Sequence, residues 1–203
     1  VHVEGITQIT HFDVAAAHEL GYVIKLLAVV RRVDDEVEAR VHPVLVPEDH
    51  LLASVREEFN AVYVESDIAD VTMYYGRGAG RMPTASAVVS DIVDIARRGN
   101  GPIPPAFVYA RDLPVRPMDK VEGRYYLHVS TEDKPGTLGT ICNILGEQGV
   151  SIASCSQHES HKPDCAHVVL LTHATREAAV AAAVATIDEL EFVRDATRML
   201  RVL

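Results

Sequence analysis

Hydrophobic and polar residues alternate with a period of two over residues 37–42, the second of two adjacent strand-like segments. The first segment, residues 22–31, is rich in β-branched side chains, and Asp34-Asp35 between the segments is typical of a turn. We expect the apolar side chains at 37, 39 and 41 to face a core and the polar ones to face water. His42 is therefore predicted to face solvent.

Further elements precede and follow this hairpin. Thr10 and Asp13 have the spacing of a capping box, and Gly21 is a natural stop, so a short helix is predicted before the hairpin. Two more strands are predicted at residues 61–65 and 71–75, where β-branched and aromatic residues are frequent.

A glycine-rich turn, Gly76-Arg-Gly-Ala-Gly80, follows the second of these strands. Helical spacing of apolar residues predicts a helix that begins near Pro83-Thr84. Glycine lets backbone N–H groups approach an anion closely, and a helix N-terminus favours negative charge. The turn is not a complete G-x-G-x-x-G motif, so a tight turn that requires positive φ is an alternative interpretation.

Residues 124–203 alternate between strand-like and helical segments. Strands are predicted at 124–130, 152–158, 166–172 and 193–202, with one helix that ends at Gln148 and another over 176–190. This β-α-β-β-α-β order predicts a ferredoxin-like antiparallel sheet with both helices on one face. The other face is expected to be bare, which favours dimerisation or ligand binding there.

Five of the ten prolines lie within residues 98–123, which predicts a stiff, extended connector. The connector divides the chain into predicted domains over 1–97 and 124–203, an α+β organisation overall. The first domain has few helices to cover its strands, so we expect a homodimer or a larger homo-oligomer.

Composition excludes several functions. The chain has 203 residues and a net charge of −10, which argues against a nucleic-acid partner. No apolar run reaches the ~18 residues that a membrane span needs. Neither a signal peptide nor a disulfide framework is indicated, since the three cysteines (Cys142, Cys155 and Cys165) form no C-x-x-C pair, and a cytoplasmic location is expected.

Four potential metal ligands, His158, His161, Cys165 and His167, lie within ten residues. Their spacing matches no standard zinc pattern, and strand alternation would send some side chains to opposite faces. A polar hairpin tip is therefore favoured, and no metal site is predicted.

Several segments of the first half resemble homoserine dehydrogenase. They are Val3-Glu-Gly-Ile6, Gly21-Tyr-Val-Ile-Lys-Leu-Leu, Ala39-Arg-Val-His-Pro43, Asn60-Ala-Val62 and, above all, the run from Gly76 to Asp91. The resemblance is to the last part of the substrate-binding and dimerisation domain, and it implies an antiparallel or mixed sheet. That family interconverts homoserine and aspartate semialdehyde with NAD or NADP, in the biosynthesis of threonine, methionine and isoleucine. By resemblance, Gly78, Ala79, Gly80 and Thr84 are cofactor contacts.

The same resemblance indicates what this sequence does not contain. A dinucleotide-binding G-x-G-x-x-G stretch is not found, and the family's catalytic lysine and acidic residues lie upstream of the segment that matches Val3–Ile6. Lys25 has a different local pattern and is not that lysine. We therefore assign no catalytic residue and expect a C-terminal fragment that is inactive by itself and holds no cofactor.

The second half resembles an ACT domain, a small amino-acid-sensing module. Asp133-Lys-Pro-Gly-Thr-Leu138 and Val150-Ser-Ile152 carry the resemblance. The turn and the helix N-terminus after it offer N–H groups to a carboxylate, and Asp133 can accept from an ammonium group. The predicted effector contacts are Asp133, Pro135, Gly136, Thr137, Leu138, Ser151, Ile152 and Gln157. In this family an ACT domain implies feedback by threonine, although the Asp133 segment can also be read as a turn and helix cap.

Two other functions remain open. The chain can be a free-standing ACT-type amino-acid-binding protein whose first half is a structural platform, or both halves can serve only dimerisation. A reading frame that continues upstream into a G-x-G-x-x-G unit favours the enzyme, and calorimetry against amino acids separates a binding module from a dimerisation element.

Overall fold

The computed structural model describes residues 1–98, 112–159 and 164–203. The helices are α1 (His11–Glu19), α2 (Arg81–Arg98), α3 (Thr137–Glu147) and α4 (Glu177–Asp188). The strands are β1 (His2–Val3), β2 (Tyr22–Val33), β3 (Glu36–Pro47), β4 (Phe59–Ser66), β5 (Asp70–Arg77), β6 (Glu122–Glu132), β7 (Ile152–Glu159), β8 (Cys165–Thr172), β9 (Thr175–Arg176) and β10 (Arg198–Val202).

The chain forms two compact units. One unit comprises residues 1–48 and 113–203, and its sheet has the strand order β1-β3-β10-β6-β8-β7, with β2 paired to β3 and β9 paired to β6. The other unit comprises residues 49–112 and contains the antiparallel β4–β5 pair. Both parallel and antiparallel pairs occur in the larger sheet, so the α+β class with a mixed sheet is confirmed.

The predicted ferredoxin-like arrangement is confirmed in the larger unit. Strands β10, β6, β8 and β7 pair antiparallel in that order. Helices α3 and α4 pack on one face of this sheet and bury alternate side chains of β6 and β8. The core between helices and sheet consists of Tyr125, Leu127, Val129, Ile141, Leu145, Val150, Val168, Leu170, Val180, Ala183 and Ile187.

The opposite face of the sheet is not bare, which corrects our expectation. Helix α1 lies over it, and Ala16 and Ala17 pack with Tyr126, Val169 and Leu171 in a second core. Both ends of α1 are as predicted: Thr10 and Asp13 form a reciprocal capping box, and Gly21, with φ +80°, follows the helix. The local pattern of α1 does not reveal which surface it covers, because its apolar residues are mostly small alanines.

Strand β3 joins the two predicted domains. It pairs parallel with β10, with Arg201 opposite Val44 and Val202 opposite Leu45. The compact units therefore differ from the division into 1–97 and 124–203, because residues 1–48 share a sheet with the ACT-like part. Residues 43–47 are a nearly continuous apolar run, which is typical of a strand covered on both faces.

A buried ion cluster lies beside this junction. Arg201 donates from two nitrogens to the Glu4 carboxylate at 2.7 and 2.9 Å. Its Nε donates to Glu177, the first residue of α4, at 3.0 Å. Arg201 and Glu177 are both buried. The guanidinium on β10 thus links the residue after β1 to the first residue of α4.

The prediction for His42 is wrong, since its side chain is buried with 1% exposed surface. Its Nδ1 donates to the Pro43 carbonyl at 3.0 Å, and its Nε2 accepts from Arg40 Nε at 3.1 Å. Burial, with a smaller effect from Arg201 and Arg40, lowers the pKa of His42 to about 4. The period of two over 37–42 identifies the strand but not which of its faces is buried. Glu38 lies on the same face as His42, and it is also buried, paired with Arg40.

The smaller unit leaves much apolar surface open. Helix α2 has no buried residue among those described, and Val62, Tyr74, Ile92 and Ile95 are all exposed. This agrees with the expectation that the first domain is incomplete by itself. Half of the connector predicted over 98–123, residues 99–111, lies outside the described residues. Of its remaining part, Val115 bridges to Val37 in β3.

Two smaller observations complete the fold. The three cysteines are free, and β10 begins at Arg198 rather than at residue 193, where only a single bridge to Thr131 forms. Among the described helices, none is long and apolar enough to cross a membrane.

Replacing Arg201 with methionine is expected to destabilise the chain by about 3–5 kcal/mol, because it leaves two carboxylates without their buried cation. Urea unfolding measures the loss. The matched control is Arg176→Met, whose exposed pair with Glu122 at 3.2 Å should contribute no more than about 1 kcal/mol. Equal losses in the two variants would show that the buried cluster stabilises the fold no more than an exposed ion pair does.

His42 is expected to make stability fall in acid. The unfolded chain binds a proton near the ordinary pKa of 6.5, whereas folded His42 does so only near 4. The contribution of neutral His42 to the free energy of unfolding is therefore fully present above pH 6.5 and is lost as the pH falls toward 4. The loss is about 2 kcal/mol between pH 7 and pH 5. Urea unfolding at both pH values measures this drop in the free energy of unfolding. The drop should be smaller in His42→Gln than in the natural chain, but unchanged in His18→Gln, which alters an exposed imidazole.

Candidate functional site

The loop between β6 and α3 is the first candidate site. Its last residue, Gly136, has φ +96° and directly precedes α3. Glycine is required there, because other residues are strained at that angle. The Gly136 carbonyl accepts from the Thr140 N–H at 3.0 Å. No side chain caps α3 and no acidic residue lies in its first turn, so the helix N-terminus is suited to an added anion.

Strand β7 brings Gln157 to this loop. Its Nε2 donates to Asp133 Oδ1 at 3.2 Å. Strands β6 and β7 are both antiparallel to β8 and therefore parallel to each other, so their carboxyl ends meet at one edge of the sheet. The structure thus brings together two of the predicted effector contacts from distant parts of the sequence.

A cleft of about 530 Å³ opens beside the loop. Its lining residues are Glu132, Lys134, Pro135, Gly136, Thr137, Thr140, Glu191 and Phe192. Glu132 is paired with Lys134 at 2.5 Å and with Arg194 at 2.7 Å. The hydrogen bond from Lys134 is the main reason that the pKa of Glu132 is lowered. The cleft therefore presents both carboxylates and an ammonium group.

Sequence reasoning missed the far wall of this cleft. Glu191 and Phe192 follow α4, some 55 residues beyond the loop. The bridge between Thr131 and Val193 and the Glu132 N–H to Phe192 carbonyl bond of 2.9 Å place them beside β6. No local motif marks these residues, whereas Lys134 lies inside the recognised segment and could have been included.

Ser151 and Ile152 do not lie at the loop, which corrects the predicted effector set for a single chain. They open β7 at the sheet edge where Ile152 pairs with Thr172, while Gln157 lies near the other edge. At roughly 3.3 Å per residue, Ile152 and Gln157 are about 17 Å apart along the strand. Ile152 packs against the main core, as does Leu138 in the first turn of α3. Both apolar side chains thus have a packing role.

The glycine-rich turn is the second candidate site. A Cβ at Gly78 would lie 1.6 Å from Asn60 Nδ2, and Gly80 has φ +119°. Helix α2 begins at Arg81, directly after the turn, which is earlier than predicted. The Gly80 carbonyl accepts from the Thr84 N–H at 3.1 Å.

This geometry suits an anion better than the sequence alone indicated. The turn leads straight into the helix N-terminus, and no acidic residue lies in the first turn of α2. Ala79 and Thr84 are exposed, so the backbone and the threonine hydroxyl are accessible.

The histidine and cysteine cluster is arranged differently from a metal site. His158 and His167 are paired across β7 and β8, and His167 Nδ1 lies 2.9 Å from His128 Nε2. Cys165 Sγ lies 3.6 Å from Ser130 Oγ, and His161 lies outside the described residues. No group of three or more potential ligands that could hold a metal occurs in the part of the chain that the structure describes.

Comparisons with known proteins find relatives for both halves of the chain. Residues 1–93 match the sequence model of homoserine dehydrogenase, and residues 125–192 match that of the ACT domain. Homoserine dehydrogenase from Neisseria gonorrhoeae is 43% identical, over 98% of this chain and 48% of its own length. The homoserine dehydrogenase of Pseudomonas aeruginosa is 39% identical, and the match covers 99% of this chain and 48% of the relative.

Solved structures give the same result. The crystal structure of a homoserine dehydrogenase from Thiobacillus denitrificans has a TM-score of 0.84 and 42% identity, covering 98% of this chain and 47% of that one. For the Staphylococcus aureus enzyme at pH 6.0, the TM-score is 0.60 at 28% identity. The chain spans about half the length of the curated relatives it matches.

Gly80→Ala is expected to destabilise the start of α2 by about 1–3 kcal/mol, because φ +119° is strained for any residue with a Cβ. Hydrogen exchange of the amides in residues 81–98 measures the local loss. Gly76→Ala is the control, since a Cβ there meets nothing within 4 Å and its φ is not positive. Unchanged exchange in Gly80→Ala would contradict the strain argument.

Proposed function

The chain belongs to the homoserine dehydrogenase family, and we propose that it supplies the amino-acid-sensing part of such an enzyme together with a segment of its catalytic domain. The complete enzyme interconverts homoserine and aspartate semialdehyde with NAD or NADP. The chain alone does not perform this reaction, because the resemblance puts the catalytic lysine and acidic residues outside it. Turnover of NADH or NADPH by the purified chain would contradict this part of the proposal.

The effector is a free amino acid, with threonine the first candidate. The hydrogen bond between Asp133 and Gln157, at the uncapped N-terminus of α3, is the observation that carries this proposal. The N–H groups of the first turn of α3 receive the ligand carboxylate, and Asp133 receives its ammonium group. Gln157 then exchanges its bond to Asp133 for one to the ligand, and Thr137 and Thr140 line the cleft for its side chain.

The glycine-rich turn contacts the nicotinamide cofactor in the complete enzyme. Gly78, Ala79 and Gly80 present backbone next to the start of α2, and Thr84 adds a hydroxyl one turn later. This proposal is supported by the exposure of the turn and by its position directly before α2. The Asn60 side chain fills the space beside Gly78, so the phosphate would approach from the other side of the turn. The exposed apolar residues of β5 and α2, such as Tyr74 and Ile92, pack against other parts of a homo-oligomeric enzyme.

Regulation works through the shared sheet. The effector loop continues β6, β6 pairs with β10, and β10 pairs with β3 in the segment that matches homoserine dehydrogenase. An effector that binds two arrangements of this sheet with different affinity shifts their populations. A coupling free energy of about 1–3 kcal/mol gives strong feedback.

Calorimetric titration of the chain with threonine, homoserine, methionine, isoleucine and lysine tests the site. One of these amino acids is expected to bind, and Asp133→Asn should weaken its binding at least tenfold because the ammonium loses its charged partner. Asp119→Asn is the matched control, since Asp119 precedes the opposite end of β6 and should leave the affinity unchanged.

Two outcomes would overturn the proposal in different ways. Binding that Asp133→Asn does not weaken would place the effector elsewhere on the chain. Absence of binding for all five amino acids, with the chain folded by circular dichroism, would assign the ACT domain to subunit contacts instead.

A further inference from the structure

One carboxylate joins helix α1 to the sheet beneath it. Asp13 has no exposed surface. Its Oδ2 accepts the capping hydrogen bonds from the Thr10 N–H at 2.8 Å and from the Thr10 hydroxyl at 2.6 Å. Its Oδ1 accepts from His128 Nδ1 at 2.7 Å and from the Tyr126 hydroxyl at 3.2 Å. The same group thus closes the first turn of α1 and binds two side chains of β6.

The hydrogen bonds continue from His128 to the neighbouring strand. His128 Nε2 lies 2.9 Å from His167 Nδ1 on β8. Because His128 donates its Nδ1 proton to Asp13, its neutral ring accepts at Nε2, and His167 donates. The Phe12 ring of α1 covers both imidazoles, with centroid distances of 4.5 Å to His128 and 4.3 Å to His167. We call Asp13, His128 and His167 the Asp–His–His chain.

We propose that the Asp–His–His chain is a proton-operated latch that holds α1 on the sheet. The facing nitrogens of His128 and His167 share one proton at neutral pH. When both rings are protonated, two N–H groups face each other across 2.9 Å, and the bond between the imidazoles is replaced by repulsion. Acidification therefore favours the state in which α1 has left the sheet.

The charges around the Asp–His–His chain are consistent with opening of the latch in acid. Burial and the neighbouring His128 lower the pKa of His167, while Asp13 and Asp195 oppose that effect. Burial would raise the pKa of Asp13, but the hydrogen bonds from His128 and Thr10 lower it overall, so Asp13 stays ionised.

Two further titratable groups face the cluster from α1 and β7. His158 contacts the edge of Phe12 and approaches Glu19 at 3.9 Å. His158 contributes, as the smallest of the effects, to the lowered pKa of His167. Glu19 attracts His158 and opposes the opening only weakly, because its carboxylate is well exposed.

Opening of the latch would change the surface of the sheet. Ala16 and Ala17 cover Tyr126, Val169 and Leu171, and all five side chains are buried while α1 is docked. The latch lies on the face of the sheet opposite α3 and α4, and none of its three groups lines the proposed effector cleft.

Hydrogen exchange with mass spectrometry on the 203-residue chain tests the latch. After correction for the intrinsic effect of pH, exchange of the amides in residues 13–20 should be at least tenfold faster at pH 5.5 than at pH 7.5. Residues 168–170 of β8 serve as the internal reference and should change little.

Two variants identify the groups responsible. In His167→Gln, which keeps a neutral hydrogen-bonding side chain beside His128, the pH response of α1 should disappear. In His18→Gln, which changes an exposed imidazole on the same helix, the response should persist. An α1 whose protection does not depend on pH in the natural chain would overturn the proposal, as would a full response in His167→Gln.

A measurement on the natural chain keeps the proposal testable if a variant does not fold. Nitrogen-15 chemical shifts of the imidazoles at pH 7.5 should show His128 and His167 both protonated at Nδ1. A His128 ring protonated at Nε2 would be incompatible with the chain of donors described here.

Discussion

The parallel pairing of β3 with β10 is the contact on which the organisation of the larger unit depends. It makes one sheet from a segment that matches homoserine dehydrogenase and from an ACT domain. Arg201 adds a charged connection at the same place, because its guanidinium binds Glu4 of the first segment and Glu177 of the second. Burying the charges of Arg201 and Glu177 is costly unless both are paired, so this cluster tolerates few alternative positions of the two segments.

This junction explains why α1 covers the sheet. The helix is followed directly by β2, and β2 pairs along its whole length with β3, so the position of β3 fixes where α1 can lie. The face that a separate ferredoxin-like module would leave bare is thus occupied by residues from the other family segment. The ACT domain of this chain is covered by helices on both sides.

The sequence was most informative where structure is decided by neighbouring residues. The capping box at Thr10 and the ferredoxin-like order follow from short-range patterns, and both are confirmed. The burial of His42 and the contacts of Asp13 could not be predicted from local patterns. His42 lies on β3, which pairs with the distant strand β10, and Asp13 binds His128 of β6. The direction of β7 likewise puts Ser151 at the opposite end of the strand from Gln157, and its role as an effector contact stays a prediction.

Strand β6 contributes to both the effector loop and the Asp–His–His chain. Its side chains alternate, so Tyr125, Leu127 and Val129 face α3 and α4, while Tyr126 and His128 face α1. Its carboxyl end continues into the loop that holds Asp133. Both faces of β6 are close-packed, and such interiors transmit displacement rather than absorb it. A displacement of the carboxyl end of β6 by a ligand would therefore reach the helix pair and α1 together.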